Sequence, residues 1–231
     1  LHLLERSFWW FHFVGILLFL NYLPFSKHWH IIMAFPNVYY SSLKPKGEFT
    51  NMESVTTEVK LMMDPSGAVP EGYEPPAGFG AKDVNDLSWK NLMDAYTCTE
   101  CGRCSSVCPA NITGKLLSPR KVMMDTRDRL EEVGKAINAS ETKEMPQDDK
   151  NLHSYISSEE LWACTTCNAC ADACPVNINP VDIIMQIRQY LVMEQSAAPS
   201  ELNGMFTNME NNGAPWQFNQ NDKGAWAKGD S

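Results

Sequence analysis

Hydrophobic and polar residues follow several distinct patterns in turn along the chain. From Ser7 to Ser26 twenty successive residues include no Asp, Glu, Lys or Arg, and Phe, Trp, Leu, Ile and Val dominate. As a helix this run is about 30 Å long, the hydrocarbon thickness of a bilayer, and it predicts a membrane span. A buried core helix is the competing reading of the same pattern. The run is too long and too aromatic for the apolar core of a secretory signal, and no small-residue cleavage site follows it. Trp9, Trp10, Tyr22 and Trp29 lie toward its ends, where aromatic rings favour the membrane interface. His28 to Tyr40 stays uncharged but is interrupted by Pro36, which predicts an interfacial continuation, so residues 1–40 form one membrane segment.

Polarity rises after Ser41. Asp64 to Gly80 holds four prolines and four glycines, and 41–81 is expected to be a linker. Helical periodicity returns at residue 82. Trp89, Leu92, Met93 and Tyr96 lead into Cys98 at helical spacing. Ser118-Pro119 places an N-cap before a proline at the first helical position, opening a helix to about Ala136. Its apolar side is Val122, Met123, Leu130, Val133 and Ile137. After a polar loop from Asn138 to Ser154, Ser157-Ser-Glu-Glu160 is a capping-box pattern before Cys164. Asn179-Pro180 repeats the cap-and-proline device, with Val181, Ile184, Met185, Ile187, Arg188 and Leu191 on the apolar side of the helix that follows. The prediction is an all-α domain over 82–195 in which two similar halves repeat, followed by an irregular tail over 196–231.

Charge excludes one class of function. The net charge is −9 and no sustained basic stretch exists, so nucleic-acid binding has no electrostatic support. Lys27, Lys44 and Lys46 follow the span whereas Arg6 and Glu5 precede it, which places the C-terminal side in the cytoplasm, with the span in the cell inner membrane. The chain begins with Leu, and the expectation is a fragment or processed product with sequence missing upstream.

The strongest chemical signal is in the cysteines. Cys98, Cys101, Cys104 and Cys108 precede Pro109, and Cys164, Cys167, Cys170 and Cys174 precede Pro175. Both runs read C-x₂-C-x₂-C-x₃-C-P, the bacterial ferredoxin spacing for [4Fe–4S] clusters, and they use all eight cysteines. Zinc sites prefer paired C-x₂-C, and disulfides do not need three closely spaced thiols aimed at one centre. That spacing carries a crossed ligation: Cys98, Cys101, Cys104 and Cys174 on one cluster, and Cys164, Cys167, Cys170 and Cys108 on the other. Between Cys108 and Cys164 lie 55 residues, enough for a helical insert that small β-rich ferredoxins lack. No general acid, base or nucleophile stands out, so the expected role of the clusters is to relay electrons.

His12, His28 and His30 are the notable polar groups in or beside the span, where ionisable residues are functional candidates. His12 and His30 are 18 residues apart, five helical turns, so a helix continuing past Pro24 would hold both on one face about 27 Å apart. That arrangement suits axial ligands of two stacked b-type haems. Interfacial histidines beside tryptophans are the alternative.

The stretch from His12 through Pro24-Phe-Ser to His30 resembles the last haem-binding helix of the nitrate reductase gamma subunit family of dihaem cytochromes b. The resemblance implies that His12 and His30 each bind a different haem b, and that His28 does not. Residues from Phe79 to Trp216 resemble heterodisulfide reductase-like iron–sulfur proteins. These are related in fold to the cluster domain of the succinate dehydrogenase iron–sulfur subunit. The likeness rests on Cys98-Thr-Glu-Cys-Gly-Arg-Cys, Cys108-Pro-Ala-Asn-Ile-Thr-Gly-Lys-Leu-Leu-Ser-Pro119, Cys164-Thr-Thr-Cys-Asn-Ala-Cys and Glu210-Asn-Asn-Gly-Ala-Pro-Trp216. Many of those relatives continue into cysteine-rich CCG domains, but no Cys follows Cys174. Together the resemblances imply the C-terminal part of a membrane cytochrome b-like helix, followed by an α-helical ferredoxin dicluster domain. They further imply electron relay between a quinone or haem b site and a cytoplasmic CCG-domain or other redox subunit. The alternative is a heterodisulfide reductase-like subunit that itself reduces a disulfide or organic substrate.

Overall fold

Local capping decides where most of the helices begin. The computed structural model describes residues 1–26, 28–64, 73, 78–141, 148–217, 219–222 and 224–227. Its regular elements are helical, and no strand occurs among the described residues. They divide into two compact units, Leu1–Tyr190 and Leu191–Ser231.

The first unit opens with α1 (His2–Tyr22). None of its residues is buried, and Phe8, Phe11 and Leu18 are among many apolar side chains left open. His2–Phe25 is long and apolar enough to cross a membrane. The helix does not continue through Pro24. Leu23–Phe25 form a 3₁₀ turn, Ser26 is extended, and α2 (Trp29–Tyr39) starts afresh. Pro24 disfavours a helical residue before it and has no N–H to donate, so a break here follows from local chemistry. The face shared by His12 and His30 on one continuous helix is therefore not realised.

The stretch expected as an interfacial continuation is α2, and it packs against α4 (Trp89–Thr97), after α3 (Glu53–Met63). Asn37 is fully buried in this contact. Its Nδ2 donates to the Val176 carbonyl at 2.9 Å, and its Oδ1 accepts from Lys90 Nζ at 3.0 Å. Lys90 in turn pairs with buried Asp94 at 2.5 Å. An unpaired buried amide would cost about 1–3 kcal/mol, so this network fixes where α2 docks. Helix α3 lies within the stretch expected as linker, where Val55, Val59 and Met62 repeat at helical spacing. Most of the Pro/Gly-rich segment from Asp64 to Gly80 lies outside the described residues.

The dicluster region is built from two similar halves. Helix α4 leads through a cysteine loop to the short α5 (Arg103–Ser106) and α6 (Pro109–Ile112), then to the long α7 (Pro119–Ala139). The second half repeats the order without a counterpart of α6: α8 (Ser158–Ala163), α9 (Ala169–Asp172) and α10 (Pro180–Met193). Ser118 caps α7 by accepting from Lys121 N, and Ser157 with Glu160 forms the full capping box on α8. Val122, Met123 and Val133 of α7 are buried with Leu161, Val181, Ile183, Ile184 and Ile187. Leu130, Ile137, Met185 and Arg188 are only partly covered. Helix α7 packs on α4, and α5 packs on α9, bringing the two cysteine runs together.

The second unit contains α11 (Ser200–Asn212), ended by Gly213 in the left-handed region. The chain there was expected to be irregular. Leu202, Met205, Phe206 and Met209 carry a helical period that Gly204 and the asparagines, poor helix formers, obscure.

Candidate metal centre

Each cysteine loop leaves a helix and turns through the left-handed region twice. In the first, Glu100 has φ 57° and Gly102 φ 80°; in the second, Thr166 has φ 55° and Asn168 φ 58°. Non-glycine residues pay a steric cost there, so three of them at matching loop positions mark a backbone shaped for a purpose. Alternating right- and left-handed residues turn successive N–H groups inward, making a nest for anionic atoms such as thiolate and sulfide. The Thr166 N–H donates to Cys164 Sγ at 3.4 Å.

All eight cysteines are free thiols in this structure. Cys98, Cys101, Cys104 and Cys174 line one small cavity of about 30 Å³, walled by Met123, Pro175 and Ile178, and touched also by Cys170. Cys174 thus joins the first run in lining one cavity. In the other group, beyond the larger effect of burial, the charges of Cys108 and Cys167 raise the pKa of Cys164, and those of Cys164, Cys104 and Cys108 raise that of Cys170, so Cys170 also stands near the first run. The second cysteine of each run, Cys101 and Cys167, is exposed, whereas Cys108 and Cys170 are buried.

The thiols differ in acidity according to burial. Desolvation raises the pKa of Cys98, Cys104 and Cys164, and pushes Cys170 up to about 12. Cys101 is lowered instead, chiefly by the backbone N–H of Arg103. Buried thiols that resist ionisation are poor nucleophiles, and they become thiolates where a metal takes the place of the proton. Among the described residues no three His, Cys, Asp or Glu side chains are placed to hold a single metal ion. Four cysteines lining one cavity are the ligand type and number that a [4Fe–4S] cluster takes.

The histidines lie apart. His12 is exposed midway along α1, and His28 meets Phe19 edge-on at 6.3 Å between ring centroids. His30, in the first turn of α2, lines an open groove of about 860 Å³ with Phe25, Trp29, Tyr96, Arg127 and Cys98. The structure thus brings His30 to the groove that reaches the first cysteine run, and leaves His12 on another helix.

Several site residues had no clear signal in the sequence. Arg127 pairs with Glu100 of the first loop at 2.6 Å, and Asn37 anchors α2 beside Val176, two residues beyond Cys174. Arg188 did have a signal, since an arginine on an apolar helix face needs a buried partner. It finds the carbonyls of Leu161 and Cys164.

Comparison with known proteins agrees with this geometry. Residues 97–178 match the 4Fe-4S dicluster domain family. This part of the chain is a ferredoxin-type dicluster domain. The whole chain is related to iron–sulfur oxidoreductases. It is 32% identical to the probable iron-sulfur-binding oxidoreductase FadF of Bacillus subtilis, over 94% of this chain and 32% of the relative. It is 31% identical to the EtfAB:quinone oxidoreductase of Syntrophomonas wolfei, over 96% of this chain and 31% of the relative. The probable membrane-anchored ferredoxin of Chromohalobacter salexigens is 29% identical over 76% of this chain and 27% of its own length. The expected likeness to heterodisulfide reductases also appears. A chain of the dihydromethanophenazine:CoB–CoM heterodisulfide reductase of Methanosarcina acetivorans is 28% identical over 64% of this chain and 36% of its own length. The chain spans about a third of the length of these curated relatives.

Proposed function

We propose that the chain is the electron-relay segment of a membrane-bound oxidoreductase, passing electrons between a quinone or haem b site and a cytoplasmic redox partner. The observation that carries this reading is the gathering of Cys174 with Cys98, Cys101 and Cys104 around one cavity. Those four would hold one [4Fe–4S] cluster, and Cys108, Cys164, Cys167 and Cys170 the other. Bound clusters supply one-electron storage without proton or bond chemistry. The chain's own residues shape the nests, exclude water with Met123, Pro175 and Ile178, and tie the two halves together through the exchanged fourth cysteines. Exposed Cys101 and Cys167 lie at the edges where electrons would enter and leave.

The membrane side of the proposal rests on the fully exposed, apolar α1, and on the lysines that follow it, which favour the cytoplasm for the dicluster domain. The support for His12 and His30 as haem b ligands is the resemblance read from the sequence of residues 12–30 alone, since none of the relatives above bears that family's name. With the helix broken at Pro24, the two histidines would act from separate helices. His30 has the added support of a groove that reaches Cys98.

The test is anaerobic purification of the full-length membrane protein with iron, sulfide and zinc analysis and electron paramagnetic resonance. About eight irons per chain and reducible [4Fe–4S] signals are expected; one or two zincs in their place would overturn the reading. A b-type α-band that weakens in His12→Ala or His30→Ala supports haem, and an unchanged band in both removes it. The second reading, direct reduction of a disulfide or organic substrate, is favoured by the likeness to the heterodisulfide reductase of Methanosarcina acetivorans. Every cysteine of the sequence given already lies in a cluster run, so a CCG domain outside it would have to supply that chemistry.

A further inference from the structure

The two halves of the dicluster domain match in more than their cysteines. Pro119 opens α7 and Pro180 opens α10, and eight residues after each proline stands an arginine, Arg127 and Arg188. Each lies beside the first cysteine of its own run: Arg127 lines one groove with Cys98, and Arg188 Nη2 donates to the Cys164 carbonyl.

Their counter-charges differ. Arg127 Nη2 pairs with Glu100 Oε1 at 2.6 Å, and its Nε lies 3.8 Å from Asp128. Arg188 donates to the carbonyl oxygens of Leu161 and Cys164, the latter at 2.6 Å, and its guanidinium lies over the Trp162 ring at 4.9 Å. Among the described residues no carboxylate pairs with it. The shorter of the two carboxylate contacts traces to one position. Two residues past the first cysteine, at almost the same left-handed φ, the first run has Glu100 and the second has Thr166.

We propose that Arg188 tunes the cluster bound by Cys108, Cys164, Cys167 and Cys170 to a higher reduction potential, and that Glu100 cancels the equivalent effect of Arg127 at the other cluster. This rests on the cluster reading above. Reduction adds one negative charge to a cluster, so a nearby unpaired cation stabilises the reduced form. Half-buried, Arg188 is screened less than a surface charge would be. Arg103 and Arg120, near the first cluster, are exposed and face solvent screening. Capping the last carbonyls of α8 is a structural role Arg188 also fills, but a cap alone would leave the potential of a folded variant unchanged.

The experiment is a potentiometric titration of the full-length protein, followed by electron paramagnetic resonance, with iron counted in every variant. Arg188→Gln should lower one midpoint by about tenfold in the ratio of reduced to oxidised cluster, about 59 mV for one electron. Arg188→Lys, which keeps the charge, should hold that midpoint near wild type. Glu100→Gln should raise the other midpoint by a similar amount. Midpoints that stay put at wild-type iron content, or both substitutions acting on the same cluster, would overturn the proposal. If Arg188→Gln loses its cluster, Glu100→Gln decides alone, a rise supporting the inference and no shift overturning it. A wild-type protein without iron would overturn the cluster reading itself.

Discussion

Arg129 on α7 grips Asp83 with a two-pronged contact: Nε lies 3.1 Å from both carboxylate oxygens, and Nη2 lies 2.6 Å from Oδ2. The arginine side chain is 1% exposed, yet it also pairs with Asp148 at 2.8 Å and donates to the Lys150 carbonyl at 2.9 Å. One buried cation thus ties the entry to the domain, its longest helix and the returning chain at 148–150. Pairing with Arg129 holds Asp148 below the ordinary carboxylate pKa.

Removing that cation strands Asp83. Arg129→Ala should cost about 3 kcal/mol or more, the usual penalty for leaving a buried charge without its partner. Asp83→Asn keeps the acceptor oxygen and should cost less. Thermal unfolding followed by the helical circular dichroism signal, compared across the two variants, checks the order. Equal melting points for wild type and Arg129→Ala would remove Arg129 from its place as the hub.

Gly80 shows a different dependence on one atom. Its φ is +70°, and an added Cβ would lie 2.3 Å from the Gln186 carbonyl oxygen and from Tyr190 N on α10. The neighbouring Ala81 N–H donates to that same Gln186 carbonyl at 2.9 Å, so the backbone cannot back away without losing the bond. Gly80→Ala should therefore destabilise by about 2 kcal/mol or more. Gly114 also has positive φ, at +83°, but nothing lies within 4 Å of its added Cβ. Gly114→Ala should cost only the conformational share, about 1 kcal/mol. Melting points of the pair separate crowding from backbone strain.

The parts of the fold that were legible in the sequence are the parts decided locally. Ser157 and Glu160 are three residues apart and cap one helix, Ser118-Pro119 opens another, and the cysteine spacing marks the loops that line the first cavity. Asp83 and Arg129 are 46 residues apart, and Asn37 and Val176 are 139 apart, so neither contact leaves a periodic trace. The histidine spacing shows the opposite failure. Eighteen residues give a shared face only on an unbroken helix, and Pro24, with Ser26 extended after it, ends that condition.

Stability should weaken in mild acid because of His153. Burial holds its pKa below the ordinary value of 6.5, its ring lies tilted against Tyr190 at 5.5 Å, and Nε2 is buried without a hydrogen-bond partner among the described residues. The unfolded chain binds a proton at a higher pH than the folded one, so acid favours unfolding. The contribution is complete above about pH 6.5 and is lost as pH falls from there toward the depressed folded value. Melting points between about pH 7.5 and 5.5 should therefore fall in the wild type and fall less in His153→Phe. Parallel slopes would show that other groups set the acid sensitivity.

Crossed ligation can be read from which substitutions destroy the same cluster. If Cys174 completes the site of Cys98, Cys101 and Cys104, then Cys174→Ser and Cys104→Ser should perturb one and the same paramagnetic signal. Cys108→Ser and Cys167→Ser should perturb the other. Ligation within each run would pair the variants differently, Cys174 with Cys167 and Cys108 with Cys104. Serine is close in shape but a harder ligand, so the affected cluster should be lost or shifted while its neighbour keeps its spectrum. The packing of α5 on α9, which brings the two runs together, is compatible with such an exchange. Spectra of the four single variants decide between the two patterns, and the within-run pattern would refute the crossing.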